Sequence, residues 1–229
     1  MANNGQQRIK DAETKIAGML KEGAVVKLDG MDPEMAESVA QSIETVLTRY
    51  PSTKDAFAGF TTDDTPSEAF AIRESIMAAY SPNSELIHLN NRYYGNKAEF
   101  EKVYAEAVGR KFHPEGTTAD SVIIHEMGHA IDNYVSKKII DSFDYSWRGE
   151  RISTRIWNSD IKSGKKSGNH VTGKSIKEGL SGYASKNHEE YIAEAFAEFV
   201  TSSNPRPLAK KIGRRVEQYI RKAEKAGEK

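Results

Sequence analysis

The sequence predicts a mainly helical α+β protein with one small sheet. Several long segments repeat apolar residues at spacings of three and four, which is the period of an amphipathic helix. The first clear example begins at Asp32-Pro33, an N-cap residue followed by a proline at the first helical position. Two short β-like runs, 76–80 and 85–90, flank a Ser-Pro-Asn-Ser turn and predict a hairpin.

Four later segments have the pattern of helices, and a polar stretch separates two of them. The helices are predicted at 98–108, 119–138, 187–201 and 207–226. Thr117 and Asp120 fit a capping box at the start of the second of these. Residues 141–182 are rich in Ser, Gly and Lys, with a weak helical pattern near 152–161, so we expect a lid or a mobile insert that carries little of the core. Residues 1–30 are expected to form a polar N-terminal segment, and 31–229 a single domain.

Composition and charge exclude several classes of function. The 229 residues carry 33 Lys and Arg against 33 Asp and Glu, and they contain no cysteine. A formal net charge of zero gives no general attraction to nucleic acid or to an anionic membrane, so we expect neither as a partner. Disulfides and thiolate metal sites are excluded, and any transition metal must be bound by His, Asp or Glu. No signal peptide is recognisable, which favours a cytoplasmic or virion-associated protein over a secreted one.

The strongest chemical signal is an H-E-x-x-H motif, His125-Glu126-Met127-Gly128-His129, within the helix predicted at 119–138. Residues four apart share one face of a helix, so both imidazoles can bind the same metal ion. Apolar residues occupy the opposite side of this helix and would pack into the core. The alternative is a surface helix with two solvated histidines.

A catalytic zinc site needs a third protein ligand and an open position for water. Asp132 shares the histidine face, but it lies seven residues, or about 10 Å of helical rise, beyond His125. A second helix must therefore provide the third ligand, and Asp132 is left with a supporting role. In the helix predicted at 187–201, Glu190 and Glu194 share a face with small alanines. We predict Glu190 as the ligand and Glu194 as the residue that orients a ligand histidine; the alternative is a solvated acidic stripe.

These two blocks resemble the catalytic domain of anthrax lethal factor and the related proline-directed clostridial endopeptidases. The resemblance is carried by His-Glu-Met-Gly-His-Ala-Ile-Asp at 125–132, by Glu-Tyr-Ile-Ala-Glu-Ala-Phe at 190–196, and by Tyr183 seven residues before Glu190. It implies a zincin-like (gluzincin) metallopeptidase fold, mainly helical, with a small mixed sheet whose edge strand flanks the active-site helix.

The same resemblance implies the residue roles. Zn²⁺ would be bound by His125, His129 and Glu190. Glu126 would be the catalytic base, Tyr183 the residue that stabilises the oxyanion, and Glu194 a supporting residue.

The predicted hairpin offers a surface for substrate. In zinc peptidases an edge strand near the metal commonly pairs with the extended substrate. Leu86, His88 and Asn90 are therefore candidate substrate-binding residues, and a purely structural hairpin is the alternative.

The expected function is that of a zinc-dependent endopeptidase. It would hydrolyse peptide bonds of a protein or peptide substrate with a metal-activated water, and Glu126 would act as general base. Domains similar to this one also occur in bacteriophage head-morphogenesis proteins, so the alternative is a virion or head-assembly protein that mainly binds a phage structural partner. A zinc hydrolase acting on a non-peptide substrate is a third possibility.

Overall fold

A computed structural model describes residues 2–62, 76–140, 149–167 and 172–227. The chain forms two compact units, Met1–Tyr104 and Ala105–Lys229. The described residues are mainly helical and contain a four-stranded mixed sheet, which confirms the α+β prediction. Within these ranges, every helix is too short or too polar to cross a bilayer.

The first unit contains the sheet, four α-helices and one 3-10 helix (Pro51–Ala56) among its described residues. Its elements are α1 (Ala2–Met19), β1 (Val25–Lys27), α2 (Pro33–Arg49), β2 (Gly59–Thr61), β3 (Ala78–Ser81), β4 (Leu86–Leu89), α3 (Asn91–Tyr94) and α4 (Lys97–Gly109), which runs across the boundary into the second unit. Helix α2 begins as predicted, because the Asp32 carboxylate accepts hydrogen bonds from the backbone N–H groups of Glu34 and Met35.

The N-terminal segment, expected to be a polar appendage, forms α1 and β1 of the first unit. Arg8 and Lys15 on α1 pair with Glu37 and Glu44 on α2, each at 2.7 Å. In both pairs the α2 residue comes 29 positions after the α1 residue. Because the pairs advance along both helices in the same direction, the two helices run parallel. The apolar side of α1 is buried through Ile9, Ala12, Ile16 and Leu20. The polar composition of this segment therefore belongs to one face of a packed helix.

The predicted hairpin is confirmed as β3 and β4, which pair antiparallel from Ala78↔Leu89 to Ser81↔Leu86. The strand order is β1-β2-β4-β3, with β1, β2 and β4 parallel. Strand β4 therefore has a partner on both sides, and the prediction that 86–90 forms an open edge strand is wrong. The missed partner is β2, a three-residue strand whose Gly59 has φ +150° and lies against the backbone of Val25, where a Cβ would clash.

The second unit is a group of packed helices. They are α5 (Ser121–Ile139), α6 (Ile152–Ser167), α7 (Gly173–Gly179), α8 (His188–Thr201) and α9 (Pro207–Gly227). The three helices predicted at 119–138, 187–201 and 207–226 are confirmed as α5, α8 and α9, within two residues at each end.

The predicted capping box at the start of α5 is wrong. The Asp120 side chain caps no backbone N–H group, and the Thr117 hydroxyl donates to the carbonyl of Pro114 instead. One residue further along, Ser121 Oγ accepts a hydrogen bond from the backbone N–H of Thr118, in the turn that leads into α5.

Helix α6 corrects the prediction that 141–182 carries little of the core. Ile152 and Ile156 are completely buried, and the Trp157 ring packs edge to face on Tyr191 of α8 at 5.0 Å. Asp160, also buried, is bound by Lys211 and Arg215 of α9 at 2.6 and 3.0 Å. The polar composition of 141–182 suggested a segment outside the core, but α6 buries its polar groups together with their hydrogen-bonding partners. Residues 141–148 and 168–171 lie outside the described residues.

Candidate metal centre

Helix α5 presents His125 and His129 on the same face. Their Nε2 atoms are 3.1 Å apart, and the two rings are nearly perpendicular, at 80°. The opposite side of α5 consists of buried apolar residues: Ile123, Ile124, Met127, Ala130, Ile131 and Val135. The spacing of four residues and the apolar back of the helix thus produce the arrangement that the motif predicts.

A close crossing of α5 and α8 brings the third predicted ligand to the histidines. A Cβ atom built on Gly128 would lie 3.2 Å from Ala193 Cα and 3.4 Å from a ring carbon of Phe196. Only small residues allow two helix backbones to approach this closely, as the alanines beside the acidic residues of α8 predicted. Asn187 begins α8 by accepting a hydrogen bond from the backbone N–H of Glu190 at 2.8 Å, which fixes the turn that carries this carboxylate.

The Glu190 carboxylate completes a triangle with the two imidazoles. Its Oε2 atom lies 3.0 Å from His125 Nε2 and 3.3 Å from His129 Nε2. All three predicted ligands therefore meet at one point, and together they could hold a metal ion. The side chains of His129 and Glu190 keep 19% and 16% of their surface exposed, so solvent reaches one side of the cluster.

The geometry of this triangle fits a divalent cation. Ligands of tetrahedral zinc lie at 2.0–2.2 Å from the ion, which places neighbouring ligand atoms about 3.3–3.5 Å apart. The three observed separations, 3.0, 3.1 and 3.3 Å, lie at the lower end of this range or within about 0.3 Å of it. Glu190 Oε2 is also buried without a well-aligned hydrogen bond, although it faces both rings. Converging lone pairs and a buried acceptor of this kind are what a bound cation would satisfy.

The cluster also perturbs the proton affinities of its members. Burial by itself lowers the pKa of His125, but the carboxylates of Glu190 and Glu194 outweigh it and raise this pKa well above 6.5. Burial by itself raises the pKa of Glu190, but the positive charges of the facing His129 and His125 rings keep it well below 4.5. Without a metal ion, a proton shared by these groups therefore takes part of the cation's role.

Glu194 lies behind His125, on the side away from Glu190. Its Oε1 atom is 2.9 Å from His125 Nδ1, and its Oε2 atom accepts a hydrogen bond of 2.6 Å from the Ser181 hydroxyl. Despite its burial, its pKa is lowered by its hydrogen bonds to His113 and His125. A carboxylate at Nδ1 favours the tautomer of His125 that leaves Nε2 free to bind a metal.

Glu126 and Tyr183, the two predicted catalytic residues, lie close enough to the cluster to interact with its charged groups. Burial, followed by the negative charges of Glu190 and Glu126, raises the pKa of Tyr183 above its ordinary value of 10.0. Its ring centroid is 5.7 Å from that of His125. The phenol is therefore protonated at neutral pH and is able to donate a hydrogen bond next to the predicted ligands.

Asp132 does not support the metal ligands as predicted. Its Oδ1 accepts hydrogen bonds from the Ser153 backbone N–H and the Ser136 hydroxyl, at 3.0 and 3.4 Å, and its Oδ2 accepts one from the Ser153 hydroxyl at 2.7 Å. It therefore ties the first turn of α6 to α5. The seven-residue rise from His125 carries Asp132 past the metal cluster to the neighbouring helix.

The three candidate substrate-binding residues lie in the first unit, in and directly after β4. Asn90 has a structural role there, because its Oδ1 caps α3 by accepting from the backbone N–H of Arg92 and its Nδ2 donates to the carbonyl of Ile76. For Leu86 and His88, substrate binding stays a prediction.

Ser181 and His113, two polar residues in contact with Glu194, were not predicted. His113 Nδ1 lies 3.3 Å from Glu194 Oε1, in the loop between α4 and α5. No spacing or motif in the sequence connects a lone histidine in a loop to an acid 81 residues later, so only the fold reveals this contact.

Comparison with models of known protein families gives no match, and comparison with curated proteins gives none either. The chemistry of the centre is therefore inferred from its own residues.

Proposed function

We propose that this chain is a zinc-dependent endopeptidase with a zincin-type active centre. The observation that carries the proposal is the convergence of His125, His129 and Glu190, from two helices, with Glu126 next to the first ligand in α5. The resemblance of 125–132 and 190–196 to lethal factor-like peptidases supports the same assignment.

Zinc is the metal that this ligand set favours. Two imidazoles and one carboxylate are a common protein ligand set of catalytic zinc, and they leave a fourth position for water or substrate. An open fourth position requires access, and the partial exposure of His129 and Glu190 provides it. The absence of cysteine from the chain removes the ligand that structural zinc sites usually employ.

Each of the residues around the cluster would have a separate role in peptide hydrolysis. When bound, zinc would supply Lewis acidity that polarises a carbonyl group and acidifies water. The Glu126 carboxylate would accept a proton from the attacking water and deliver it to the leaving amine. The neutral Tyr183 phenol would donate a hydrogen bond to the oxyanion that develops on the scissile carbonyl. Glu194 would hold the His125 ring in place throughout.

The experiment that tests this proposal compares Glu126→Gln with Glu178→Gln, a control in an exposed residue of the same unit. Peptide-library cleavage and zinc content are measured for both variants and for the natural chain. We expect Glu126→Gln to retain zinc and to lose about 10²–10⁴-fold in cleavage rate, because the amide cannot accept the proton. The control should keep both properties, and a chelator should abolish cleavage by the natural chain.

Two results would count against the proposal. Equal cleavage by Glu126→Gln and the natural chain would refute the role of Glu126 as base. Stoichiometric zinc without any peptide cleavage would refute the endopeptidase and favour the alternative, a zincin-fold protein that binds a partner in an assembly.

A further inference from the structure

A buried hydrogen-bond network lies behind the predicted metal ligands, and Glu194 is its centre. This residue is 2% exposed. Its Oε1 faces two imidazole nitrogens, His125 Nδ1 at 2.9 Å and His113 Nδ1 at 3.3 Å, while its Oε2 accepts from Ser181. A buried carboxylate is costly unless it is paired and hydrogen-bonded, so each of these three partners contributes to holding it in one orientation.

The backbone holds His113 in position beside this carboxylate. The N–H groups of Gly182 and Tyr183 donate to the carbonyls of Lys111 and Phe112, at 2.7 and 3.0 Å. The segment before His113 is thus paired with the loop that carries Ser181 and Tyr183. The imidazole is placed by main-chain hydrogen bonds, which makes its contact with Glu194 a preformed one.

The shared Oε1 atom links His113 to the predicted metal ligand. The oxygen that orients His125 is the same oxygen that accepts from His113. Without the second donor, the carboxylate can rotate about its terminal torsion, and its 2.9 Å contact with His125 Nδ1 is no longer held in place. A small rotation of the His125 ring moves Nε2 away from the point where the three ligand atoms meet.

We propose that His113 is a positioning residue of the metal centre, which fixes Glu194 and through it the metal-binding orientation of His125. The inference rests on the proposed function, because it assumes that the cluster binds zinc. Loss of partners that orient a ligand typically weakens metal binding by about 10–100-fold. We expect an effect of that size when the donor at residue 113 is removed, with no change in the three ligands themselves.

Three substitutions at residue 113 test this proposal. In His113→Asn the amide nitrogen occupies nearly the place of Nδ1, in His113→Gln it lies further out, and His113→Phe has no donor. Zinc dissociation constants are measured by competition with a chelator, and the absorption spectrum of the cobalt-loaded protein reports the geometry of the ligands. We expect the Asn variant to bind zinc within about threefold of the natural chain, and the Gln and Phe variants to bind about 10–100-fold more weakly with an altered cobalt spectrum.

Thermal unfolding of the metal-free variants separates this effect from a general loss of structure. The polar Asn and Gln variants keep the comparison available even if His113→Phe does not fold. Equal zinc affinity in the Asn and Gln variants, or equal affinity in the Gln variant and the natural chain, would overturn the role of His113.

A double variant tests whether His113 acts through Glu194. Once Glu194→Gln has removed the carboxylate, adding His113→Gln should weaken zinc binding no further. Multiplied fold-changes in the double variant would refute the proposed connection. A natural chain that binds no zinc at all would instead refute the metal centre, so the two failures are distinguishable.

Discussion

At the scale of single residues, two acids four positions apart in α8 contact opposite nitrogens of one imidazole. Glu190 Oε2 lies 3.0 Å from His125 Nε2, and Glu194 Oε1 lies 2.9 Å from His125 Nδ1. The outer acid favours the tautomer with hydrogen on Nδ1, and the inner acid joins Nε2 in facing the predicted metal position. The two glutamates are chemically alike, and their positions along the helix separate a predicted ligand from a predicted supporting residue.

Tyr183 allows a prediction at the same scale. Tyr183→Phe removes only the hydroxyl that would stabilise the oxyanion. We expect kcat for peptide cleavage to fall about 10²–10³-fold, the usual effect of losing one such donor, while the zinc content stays the same. Tyr219→Phe on α9 is the matched control and should cleave at the natural rate. Equal losses in both variants, or no loss in Tyr183→Phe, would contradict the assignment of the phenol.

The sequence predicted some of these residues and missed others for a physical reason. His125, His129 and Glu190 follow from spacing on two helices, because helical geometry converts sequence distance into position on a face. Asp132 was placed on the correct face, but only the path of α6 shows that its partners are Ser136 and Ser153. His113 comes from a loop, where spacing carries no such information.

At the scale of secondary-structure elements, the close crossing of α5 and α8 determines whether the three ligands can meet. Gly128→Ala tests this crossing, since the new Cβ would lie 3.2 Å from Ala193 Cα and would push the helices apart by a few tenths of an ångström. We expect the free energy of unfolding to fall by about 1–3 kcal/mol, as in other overpacked sites, and zinc binding to weaken. Chemical denaturation and chelator competition measure the two effects.

The control for this change is Gly18→Ala near the end of α1, where no atom lies within 4 Å of the added Cβ. There the alanine should leave zinc binding unchanged and stabilise the protein by up to about 1 kcal/mol, because it restricts the unfolded chain. If Gly128→Ala behaved like this control, the helices would not depend on glycine for their approach.

Predictability at this scale depends on length and period. Helices α5, α8 and α9 have strong apolar periods over 14 to 21 residues. The sequence therefore predicted each of these helices from its apolar pattern. Strand β2 has three residues, too few to show a period, so no pattern in the sequence predicts it. Helix α6 was underestimated because part of its contact with its neighbours is polar, through Asp160.

At the scale of the whole molecule, the stability of the metal-free protein should depend on the charges at this centre. A raised pKa at His125 contributes stability that is complete below its unfolded value of 6.5 and is lost as the pH rises through the folded value. A lowered pKa at Glu194 contributes stability that is present above its unfolded value of 4.5 and is lost as the pH falls towards the folded value. Both contributions are complete between pH 4.5 and pH 6.5, the two unfolded values. We therefore expect the metal-free protein to have its highest Tm in that range.

Zinc should raise the Tm of the protein more at high pH than at low pH. A histidine must be neutral to bind the metal, so zinc competes with protons and its stabilising effect should grow as the pH rises from 5 to 8. Thermal unfolding with zinc and with a chelator, across this range, measures the difference. The His129→Ala variant should lose most of it, and a pH-independent difference in Tm would contradict the competition between zinc and protons.

The most direct test is to locate zinc in crystals of the zinc-loaded protein by anomalous scattering at the zinc absorption edge. We expect one ion per chain, about 2.0–2.2 Å from His125 Nε2, His129 Nε2 and a Glu190 oxygen. An ion bound elsewhere, or one bound by both histidines with Glu190 turned away, would contradict it.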